Sequence, residues 1–545
     1  MIAKAADLGR RGVIESRALG HAFRAGMISL DSPTRTIAAF RALDKFGQFG
    51  AAIIVAAIRH GDQIGLIDEL GSLTFAELHA RSDALTVALR ARGVKEGDGI
   101  GILCRNHRGF VDITFAAAKL GARVLLLNTD FAGPQLSDVC EREGVALLVH
   151  DEEYEELVAP IEARHGRLLG WTDGEPPEDS LEALIARYAG QTPPVPEESA
   201  ELVLLTSGTT GTPKGAARHQ GKSLAPIGAL LSKVPYRSEE RMFVAAPMFH
   251  ALGFTQMILA VGLGDTTIVQ RRFSPERVLQ GIAEHRPQAL VVVPVMLQRI
   301  VSVLEETPGR YDTNSLRIVF CSGAQLEAEL VRRAQRTIGD KLYNFYGSTE
   351  VAYATFATPD DLRAAPGTAG RVPFGAIVKL FDLDGNPVDE PGRPGRIFVG
   401  NGFQFEGYTG GGGKERIGEL MSTGDMGHFD VDGRLFVDGR DDDMIVSGGE
   451  NLFPGEVEEL LLTHPAIEEA AAIGVDDPEF GKRLAAYIVL KPGESIIESE
   501  VRDFVKENLA RYKVPRDVTV LDELPRNPTG KVLKRRLREL HADHT

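Results

Sequence analysis

A segment rich in glycine and hydroxyl side chains is the first feature of this chain that could do chemistry. Residues 206–215 read TSGTTGTPKG and follow the strand-like apolar run ELVLL at 201–205. Three glycines let backbone amides approach a ligand, five hydroxyl side chains offer hydrogen bonds, and Lys214 adds a cation. This combination of groups is suited to binding a polyphosphate. The structural alternative is that the segment is a flexible surface turn. The spacing differs from that of a Walker A loop, which disfavours a P-loop ATPase.

Two later segments add groups for a purine, a phosphate and a metal ion. In NFYGSTE (344–350), Tyr346 offers a flat face for a purine, Thr349 a hydroxyl for phosphate, and Glu350 a hard oxygen ligand for Mg²⁺. The alternative for Glu350 is a first-turn helix carboxylate beside a capping Ser348. In STGD (422–425), Asp425 could bind ligand hydroxyls or sit in a plain turn.

Four further segments contain a histidine, glycines or basic residues that could contact a ligand. They are PMFHALG (247–253), CSGAQL (321–326), GRDDDMIVSGGENLFPGEVEE (439–459) and NPTGKVLKRRLREL (527–540). Each has a structural alternative. His250 could be a core or capping histidine, 439–459 an acidic linker before a helix, and the cations Lys534, Arg535, Arg536 and Arg538 a solvated face.

In this order, the segments resemble the acyl-adenylate-forming superfamily, which includes acyl-CoA synthetases, luciferases and the adenylation domains of peptide synthetases. Within it, the chain looks most similar to synthetases for medium- or long-chain fatty acids. The resemblance covers about residues 70–545. It implies ATP and Mg²⁺ as cofactors, coenzyme A as co-substrate, and a small C-terminal domain that swings about a hinge.

The resemblance also implies a role for each site residue. The catalytic group is Lys531, Thr206, Lys214, Glu350 and His250, with His250 shaping the carboxylate end of the acid pocket and Glu350 holding the metal. The hinge is Asp442. The nucleotide- and cofactor-binding group is Ser207, Gly208, Thr209, Thr210, Gly211, Gly323, Ala324, Tyr346, Gly347, Thr349, Asp425, Arg440, Gly448 and Gly449, with the last two beside the thiol ligand.

The function implied is ATP-dependent conversion of a carboxylic acid into its acyl-adenylate, followed by thioester formation with coenzyme A. A medium- or long-chain fatty acid is the expected substrate, with a place in lipid metabolism. Three alternatives stay open: an aryl or other acid, a carrier protein as the acceptor, and a nucleotide-binding scaffold without catalysis.

The elements that must position these residues indicate an α/β fold. Apolar strand-like runs at 99–105, 122–128, 145–151, 201–207, 289–295 and 316–322 alternate with helical segments, which predicts mostly parallel sheets covered by helices. From about residue 370, short strands with Gly, Pro and Asp turns predict a β-rich subdomain. The predicted domains are a helical extension (1–70), an adenylation domain (71–440) and a mobile α+β domain (441–545).

Composition limits the possible binding partners of the protein and indicates its cellular compartment. The 545 residues include 61 Lys and Arg against 77 Asp and Glu, a formal net charge of −16, which disfavours nucleic acid and requires local positive charge around any anionic ligand. Three widely spaced cysteines form no metal or disulfide pattern and predict a cytoplasmic protein. The basic, amphipathic first seventy residues pack on the body or, as the alternative, contact a membrane surface.

Overall fold

A computed structural model gives the fold. It describes residues 2–29, 32–206, 214–218, 223–403, 405, 407–409, 411, 413–441, 445–447, 450–452, 454–477, 481–509, 513–527 and 530–544. Two long helices come first, α1 (Ile2–Arg24) and α2 (Pro33–His60). Helix α2 begins with the proline after its N-cap Ser32 and bends at Gly47, where φ is 67° and ψ is 178°.

The next 140 or so residues alternate strands and helices. They are β1 (Ile64–Asp68), β2 (Gly71–Thr74), α3 (Phe75–Ala91), β3 (Gly99–Leu103), α4 (Arg108–Leu120), β4 (Arg123–Leu126), α5 (Gly133–Arg142), β5 (Val145–Asp151), a 3-10 turn (Glu152–Tyr154), α6 (Glu155–Val158), β6 (Arg167–Trp171), α7 (Leu181–Arg187) and β7 (Glu201–Thr206).

The alternation continues through the second half of the large part. Its elements are β8 (Lys214–Arg218), α8 (Ala225–Lys233), β9 (Arg241–Val244), α9 (Ala251–Leu263), β10 (Thr266–Ile268), α10 (Pro275–His285), β11 (Ala289–Val292), α11 (Pro294–Glu306), β12 (Ile318–Cys321), α12 (Ala328–Thr337), β13 (Leu342–Tyr346), β14 (Thr355–Ala357) and α13 (Pro359–Ala364).

The remaining elements are shorter and richer in strands. They are β15 (Ala376–Phe381), β16 (Gly395–Asn401), β17 (Arg416–Ile417), β18 (Leu420–Phe429), β19 (Leu435–Arg440), β20 (Ile445–Ser447), β21 (Glu450–Leu452), α14 (Pro454–Leu461), β22 (Ile467–Asp477), β23 (Gly481–Leu490), α15 (Glu498–Asn508), β24 (Asp517–Val520) and α16 (Lys534–His544).

Two large sheets form the body. One has the order β14-β13-β12-β11-β9-β10-β1-β2 and the other β6-β5-β3-β4-β7-β8. Both are parallel except at their edges, where β14, β2 and β8 pair antiparallel with their neighbours. Helices cover the sheets because strands such as β3, β5, β11 and β12 are buried along their whole length and read as continuous apolar runs.

The rest of the chain forms smaller sheets. An antiparallel sheet contains β15, β16, β18, β17 and β19, and β20 pairs with β21 in a separate hairpin. The C-terminal sheet β22-β23-β24 is covered by α14 and α15. The core between these helices and the sheet includes Val457, Leu461, Val501 and Val505. The predicted α/β class, the β-rich subdomain and the small α+β module are confirmed, whereas the predicted domain boundaries stay a prediction.

The N-terminal helices pack on the body. Helix α1 lies against α8, and the two approach most closely where Ala18 faces Gly228. The Glu15 carboxylate accepts hydrogen bonds from the Ser223 hydroxyl and from the Leu224 amide at 3.0 Å, just before α8 begins. Among the described residues, no helix combines the length and the apolar character needed to cross a bilayer. A membrane-surface contact therefore stays a prediction.

We expect Gly228→Ala to loosen this packing. The added Cβ would lie 2.4 Å from the Ala18 Cα and 2.5 Å from its Cβ, so one helix backbone has to shift. Overpacking of this kind costs roughly 1–3 kcal/mol. The urea midpoint should fall, and amide hydrogen exchange in α1 should accelerate.

Gly20→Ala is the matched control, because a Cβ at this exposed position of α1 meets nothing within 4 Å. Removing an interior helix glycine should stabilise the protein by roughly 0.5–1 kcal/mol. Equal midpoints for the two variants, with unchanged exchange in α1, would contradict the packing described.

Candidate functional site

A single cavity of about 2050 Å³ brings ten of the predicted site residues together. It lies where the large sheets, the β-rich subdomain and the C-terminal segment meet. Of the predicted residues, its wall contains His250, Gly323, Ala324, Tyr346, Gly347, Thr349, Glu350, Asp425, Arg440 and Lys531.

The glycine- and hydroxyl-rich segment is described only at its ends. Thr206 ends β7 and Lys214 begins β8, and the two are directly paired in register at the end of this hairpin. The segment between them carries Ser207, Gly208, Thr209, Thr210 and Gly211, which lie outside the described residues, as do Asp442, Gly448 and Gly449. Their predicted roles stay predictions.

The carboxyl ends of neighbouring parallel strands supply one side of the site. Strand β13 ends at Tyr346, β12 leads into Gly323, and β9 leads through residues 245–249 to His250. These strands share one sheet, so their carboxyl ends meet at one edge. In open α/β sheets this edge is where ligands bind.

Asp425 is the centre of a hydrogen-bonded group. The Tyr346 hydroxyl donates to its Oδ2 at 2.6 Å, and the Arg440 guanidinium donates to its Oδ1 at 3.1 Å. Asp425 lies within β18 directly opposite Arg440 of β19, so a plain turn is excluded. Burial, followed by the Asp425 charge, raises the pKa of Tyr346 well above its usual value, which keeps its hydroxyl a donor. Each carboxylate oxygen keeps a lone pair for a ligand hydroxyl.

Glu350 is also held by two hydroxyl donors. Ser348 donates to its Oε2 at 2.9 Å and Tyr408 to its Oε1 at 3.0 Å. It lies in a turn after β13 and not in a helix, so the alternative of a first-turn helix carboxylate is wrong. Tyr408 is followed by Thr409, whose amide donates to the Gly215 carbonyl at 2.9 Å. Glu350 is thereby connected to the strand that follows the glycine-rich segment.

Lys531 reaches the cavity from a turn before α16. Its amide donates to Asn527 Oδ1 at 2.9 Å, and the Gly530 amide to the Asn527 carbonyl at 2.8 Å. Gly530 has a φ of 78°, and a Cβ there would lie 2.3 Å from Val295 Cγ1 at the start of α11. Only glycine therefore fits this contact between the C-terminal segment and the large body.

The electrostatic neighbours of Lys531 are the two carboxylates just described. The side chain is accessible within the cavity, but the surrounding protein desolvates the ammonium and lowers its pKa. Asp425 and Glu350 oppose this shift, and Arg440 adds to it. The Lys531 ammonium and the Arg440 guanidinium thus lie close to the Asp425 and Glu350 carboxylates, so two positive and two negative charges balance within this group.

His250 occupies the N-cap position of α9 but makes no capping hydrogen bond with its side chain. Its ring lies against Phe249, with 4.6 Å between the ring centroids. Its Nε2 is buried without a hydrogen-bond partner among the described residues. Burial and then the Lys531 charge lower its pKa to about 3, so the imidazole is neutral at physiological pH. It can contact a ligand but is a weak base.

The mouth of the cavity is rich in cations, as the acidic net charge of the chain requires for an anionic ligand. They are Lys414, Arg440, Arg526, Lys531, Lys534, Arg535 and Arg538. Of the basic residues of α16, Lys534, Arg535 and Arg538 border the cavity, although the Arg535 side chain is 84% exposed. Arg535 and Arg536 both pair with Glu539, at 3.5 Å and 2.9 Å.

Comparison with known proteins decides the family. The AMP-binding enzyme profile matches residues 55–409, and the AMP-binding enzyme C-terminal domain profile matches residues 456–531. The chain belongs to the AMP-binding enzyme family. It is a member of the acyl-adenylate-forming superfamily, as the sequence predicted.

Two of the most similar relatives of this AMP-binding enzyme are named for aromatic acids. It is 35% identical to feruloyl-CoA synthase of an Amycolatopsis species, over 88% of this chain and 95% of the relative. It is 32% identical to indoleacetate–CoA ligase of Aromatoleum aromaticum, over 87% and 94%. The expected similarity to fatty acyl-CoA synthetases is therefore corrected by these matches.

A solved structure supports the same fold. The o-succinylbenzoate CoA synthetase of Bacillus subtilis, in complex with its acyl-adenylate intermediate, superposes with a TM-score of 0.77 at 29% identity. The match covers 89% of this chain and 97% of that one.

Sequence reasoning missed two positioning residues and one buried cluster. Asn527 begins a quoted motif and Tyr408 lies outside all of them, and only the fold shows that they hold the Lys531 turn and Glu350. The cluster is Cys104, His107 and Asp151, whose candidate ligand atoms lie within 4.8 Å of one another.

This cluster has a structural explanation. The His107 Nε2 donates to Asp151 Oδ1 at 2.8 Å, and its Nδ1 accepts from the Gly109 amide at 3.1 Å. The other Asp151 oxygen accepts from the Arg105 amide at 2.9 Å. Burial raises the pKa of Cys104 well above its usual value, so its thiol stays protonated. The three residues link β3, α4 and β5.

We expect Tyr346→Phe to weaken AMP binding about 3- to 10-fold. The ring stays, but Asp425 loses one donor, and a hydrogen bond contributes roughly 0.5–1.5 kcal/mol. Isothermal titration calorimetry measures the change. Tyr343→Phe, at a buried position of the same strand outside the cavity wall, is the control and should bind AMP normally. Equal affinities for both variants would contradict a nucleotide site at Asp425.

Proposed function

We propose that this AMP-binding enzyme joins an apolar carboxylic acid to coenzyme A through an acyl-adenylate, at the expense of ATP. The observation that carries the proposal is the convergence of Lys531, Asp425 and Glu350 on one cavity, within a chain of this family. In the proposal, Asp425 accepts the ribose hydroxyls, Tyr346 stacks on the adenine, and Lys531 lies beside the α-phosphate.

The chemistry explains why these groups are needed. A carboxylate is a poor electrophile because its leaving group would be oxide. In the first half-reaction, a carboxylate oxygen bonds to the α-phosphorus while the bond from that phosphorus to the pyrophosphate oxygen breaks. Negative charge accumulates on the phosphate oxygens, and an ammonium held in a desolvated cavity stabilises it. In the second half-reaction, the thiol sulfur attacks the acyl carbonyl, loses its proton and displaces AMP.

Glu350 is the residue that would hold Mg²⁺. Protein sites for this ion commonly use one or two carboxylates together with substrate phosphates. Glu350 fits, because both of its oxygens are oriented by hydroxyl donors and keep lone pairs for a metal. When bound, the ion would neutralise phosphate charge. Thr206, Lys214 and the five residues Ser207 to Gly211 would complete the phosphate contacts.

The two half-reactions need different surroundings. The thiol has to reach the acyl carbonyl at a site that Lys531 occupies in this conformation. We therefore retain the proposal that the C-terminal domain pivots at Asp442, bringing Gly448 and Gly449 to the thiol. The contact between the C-terminal domain and the large body buries Glu327, the N-cap residue of α12. Desolvation, followed by the charges of Glu458 and Glu459, raises the pKa of Glu327 to about 8. The contact therefore weakens as the pH rises through this value, which suits an arrangement that is made and released.

An aryl acid is the better supported substrate. Feruloyl-CoA synthase and indoleacetate–CoA ligase are both named for aromatic acids, and both are similar to this chain over most of its length. Their names also favour free coenzyme A over a carrier protein. A fatty acid is the second candidate, and the observation that favours it is the volume and apolar lining of the cavity.

We expect Lys531→Ala to separate the half-reactions. Adenylation, measured as acid-dependent exchange of pyrophosphate into ATP, should fall at least about 100-fold, because removing one donor to a developing oxyanion costs roughly that much. Thioester formation from supplied acyl-AMP and coenzyme A should change far less, because Lys531 has moved away in that step.

Arg536→Ala is the control, since this exposed residue of the same helix pairs with Glu539 and should leave both rates unchanged. Equal loss of both half-reactions in Lys531→Ala would defeat the alternation of domains. An unchanged adenylation rate would defeat the role of Lys531 itself.

A further inference from the structure

The cavity of about 2050 Å³ extends beyond the proposed nucleotide site. Residues of the proposed nucleotide site form one part of its wall. Another part is formed by α1, α2, α8 and α9, which carry none of the nucleotide residues. We call this part the apolar arm.

Helix α2 contributes a continuous stripe to the apolar arm. The lining positions recur three or four residues apart on both sides of the Gly47 bend, as expected for one helix face. They are Thr36, Ala39, Phe40, Leu43, Gln48, Phe49, Ala52, Val55, Ala56, Arg59 and His60. The family profile begins at residue 55, so most of this wall is built by chain upstream of the matched region.

The apolar arm is joined to the rest of the cavity by direct packing. The Phe49 ring of α2 lies edge-on to Phe254 of α9, with 5.5 Å between the centroids. Helix α9 begins directly after His250, whose Nε2 is the buried atom without a described partner. The apolar arm is therefore adjacent to the place proposed for the acid carboxylate.

Contacts between α2 and the segment that follows α1 hold this wall in place. The Arg59 guanidinium donates to the Met27 carbonyl at 2.6 Å, the Gly26 carbonyl at 3.2 Å and the Ser29 hydroxyl at 2.7 Å. Met27 and Ile28 themselves line the cavity.

Apolar surface remains uncovered along this wall. Phe40 is 69% exposed, Leu19 49% and Leu43 40%, and all three line the cavity. Clustered apolar surface that protein does not cover commonly marks a binding site. An acid with one aromatic ring would not extend along the whole α2 stripe.

We infer that the acid carries an elongated apolar tail, which lies in the apolar arm between α2 and α9. This inference rests on the proposed acid–CoA ligase activity and specifies its substrate class. The tail could belong to a long-chain fatty acid or to an aromatic acid with a long alkyl substituent. Both present the same methylene surface to α2.

The test compares three acids in ATP- and coenzyme A-dependent AMP formation by the full chain. They are ferulate, hexadecanoate and 4-dodecyloxybenzoate. The wild-type kcat/KM should be at least ten-fold higher for one or both long-tailed acids than for ferulate. Preference for hexadecanoate alone identifies a fatty acid, and preference for 4-dodecyloxybenzoate alone identifies an alkylated aromatic acid.

Two filling variants, Ala39→Trp and Ala52→Phe, place bulk at separate positions on the lining face of α2. Each should lower kcat/KM for the preferred long-tailed acid at least ten-fold and change ferulate turnover less than two-fold. Ile37→Trp is the control, because Ile37 is 51% exposed on the same helix and lies outside the cavity wall. Thermal midpoints confirm that each variant is folded.

Ferulate turnover without any preference for long tails would overturn this inference and leave the proposed ligase activity standing. The same holds if a long-tail preference survives both filling variants, or if Ile37→Trp reduces it equally. AMP formation with none of the acids would overturn the inference together with the proposed function. The wild-type comparison gives this answer even if a filling variant fails to fold.

Discussion

The position of the Lys531 ammonium is the constraint on which the site depends. A cation that lies in a desolvated cavity requires nearby negative charge, and Asp425 and Glu350 supply it. Those carboxylates are themselves oriented by Tyr346, Arg440, Ser348 and Tyr408. Because Lys531 is on the C-terminal segment, its position beside these carboxylates requires that segment to lie against the large body, where Gly530 contacts Val295.

The surrounding fold meets this constraint with three separate parts. The parallel sheet brings Gly323, Tyr346 and Glu350 to one edge, and the antiparallel subdomain places Asp425 opposite Arg440. The C-terminal segment adds the lysine. Since each part has its own core, each can be a stable unit, as the proposed pivot of the C-terminal domain requires. The raised pKa of Glu327 marks their contact as a costly one.

Local pattern predicted much of this arrangement. Continuous apolar runs such as ALVVVPV are buried strands because both faces of a parallel sheet are covered, and β11 lies there as predicted.

The grouping of Tyr346, Glu350, Asp425, Arg440 and Lys531 followed from a resemblance of motifs. The hydroxyl donors on Glu350 did not, because Tyr408 is 58 residues away in sequence and reaches Glu350 only through tertiary packing. The cavity wall formed by α2 was likewise invisible, since an amphipathic stripe does not reveal what it covers. The motifs predicted a similarity to fatty acyl-CoA synthetases, and individual relatives corrected that expectation.

A crystal structure with a non-hydrolysable acyl-adenylate analogue would test the central claim most directly. The account predicts the ribose hydroxyls within about 3 Å of the Asp425 carboxylate, and the group replacing the α-phosphate beside Lys531 or facing the space that Lys531 leaves. An analogue bound away from Asp425, with Tyr346 and Arg440 still closed around an unliganded carboxylate, would contradict it.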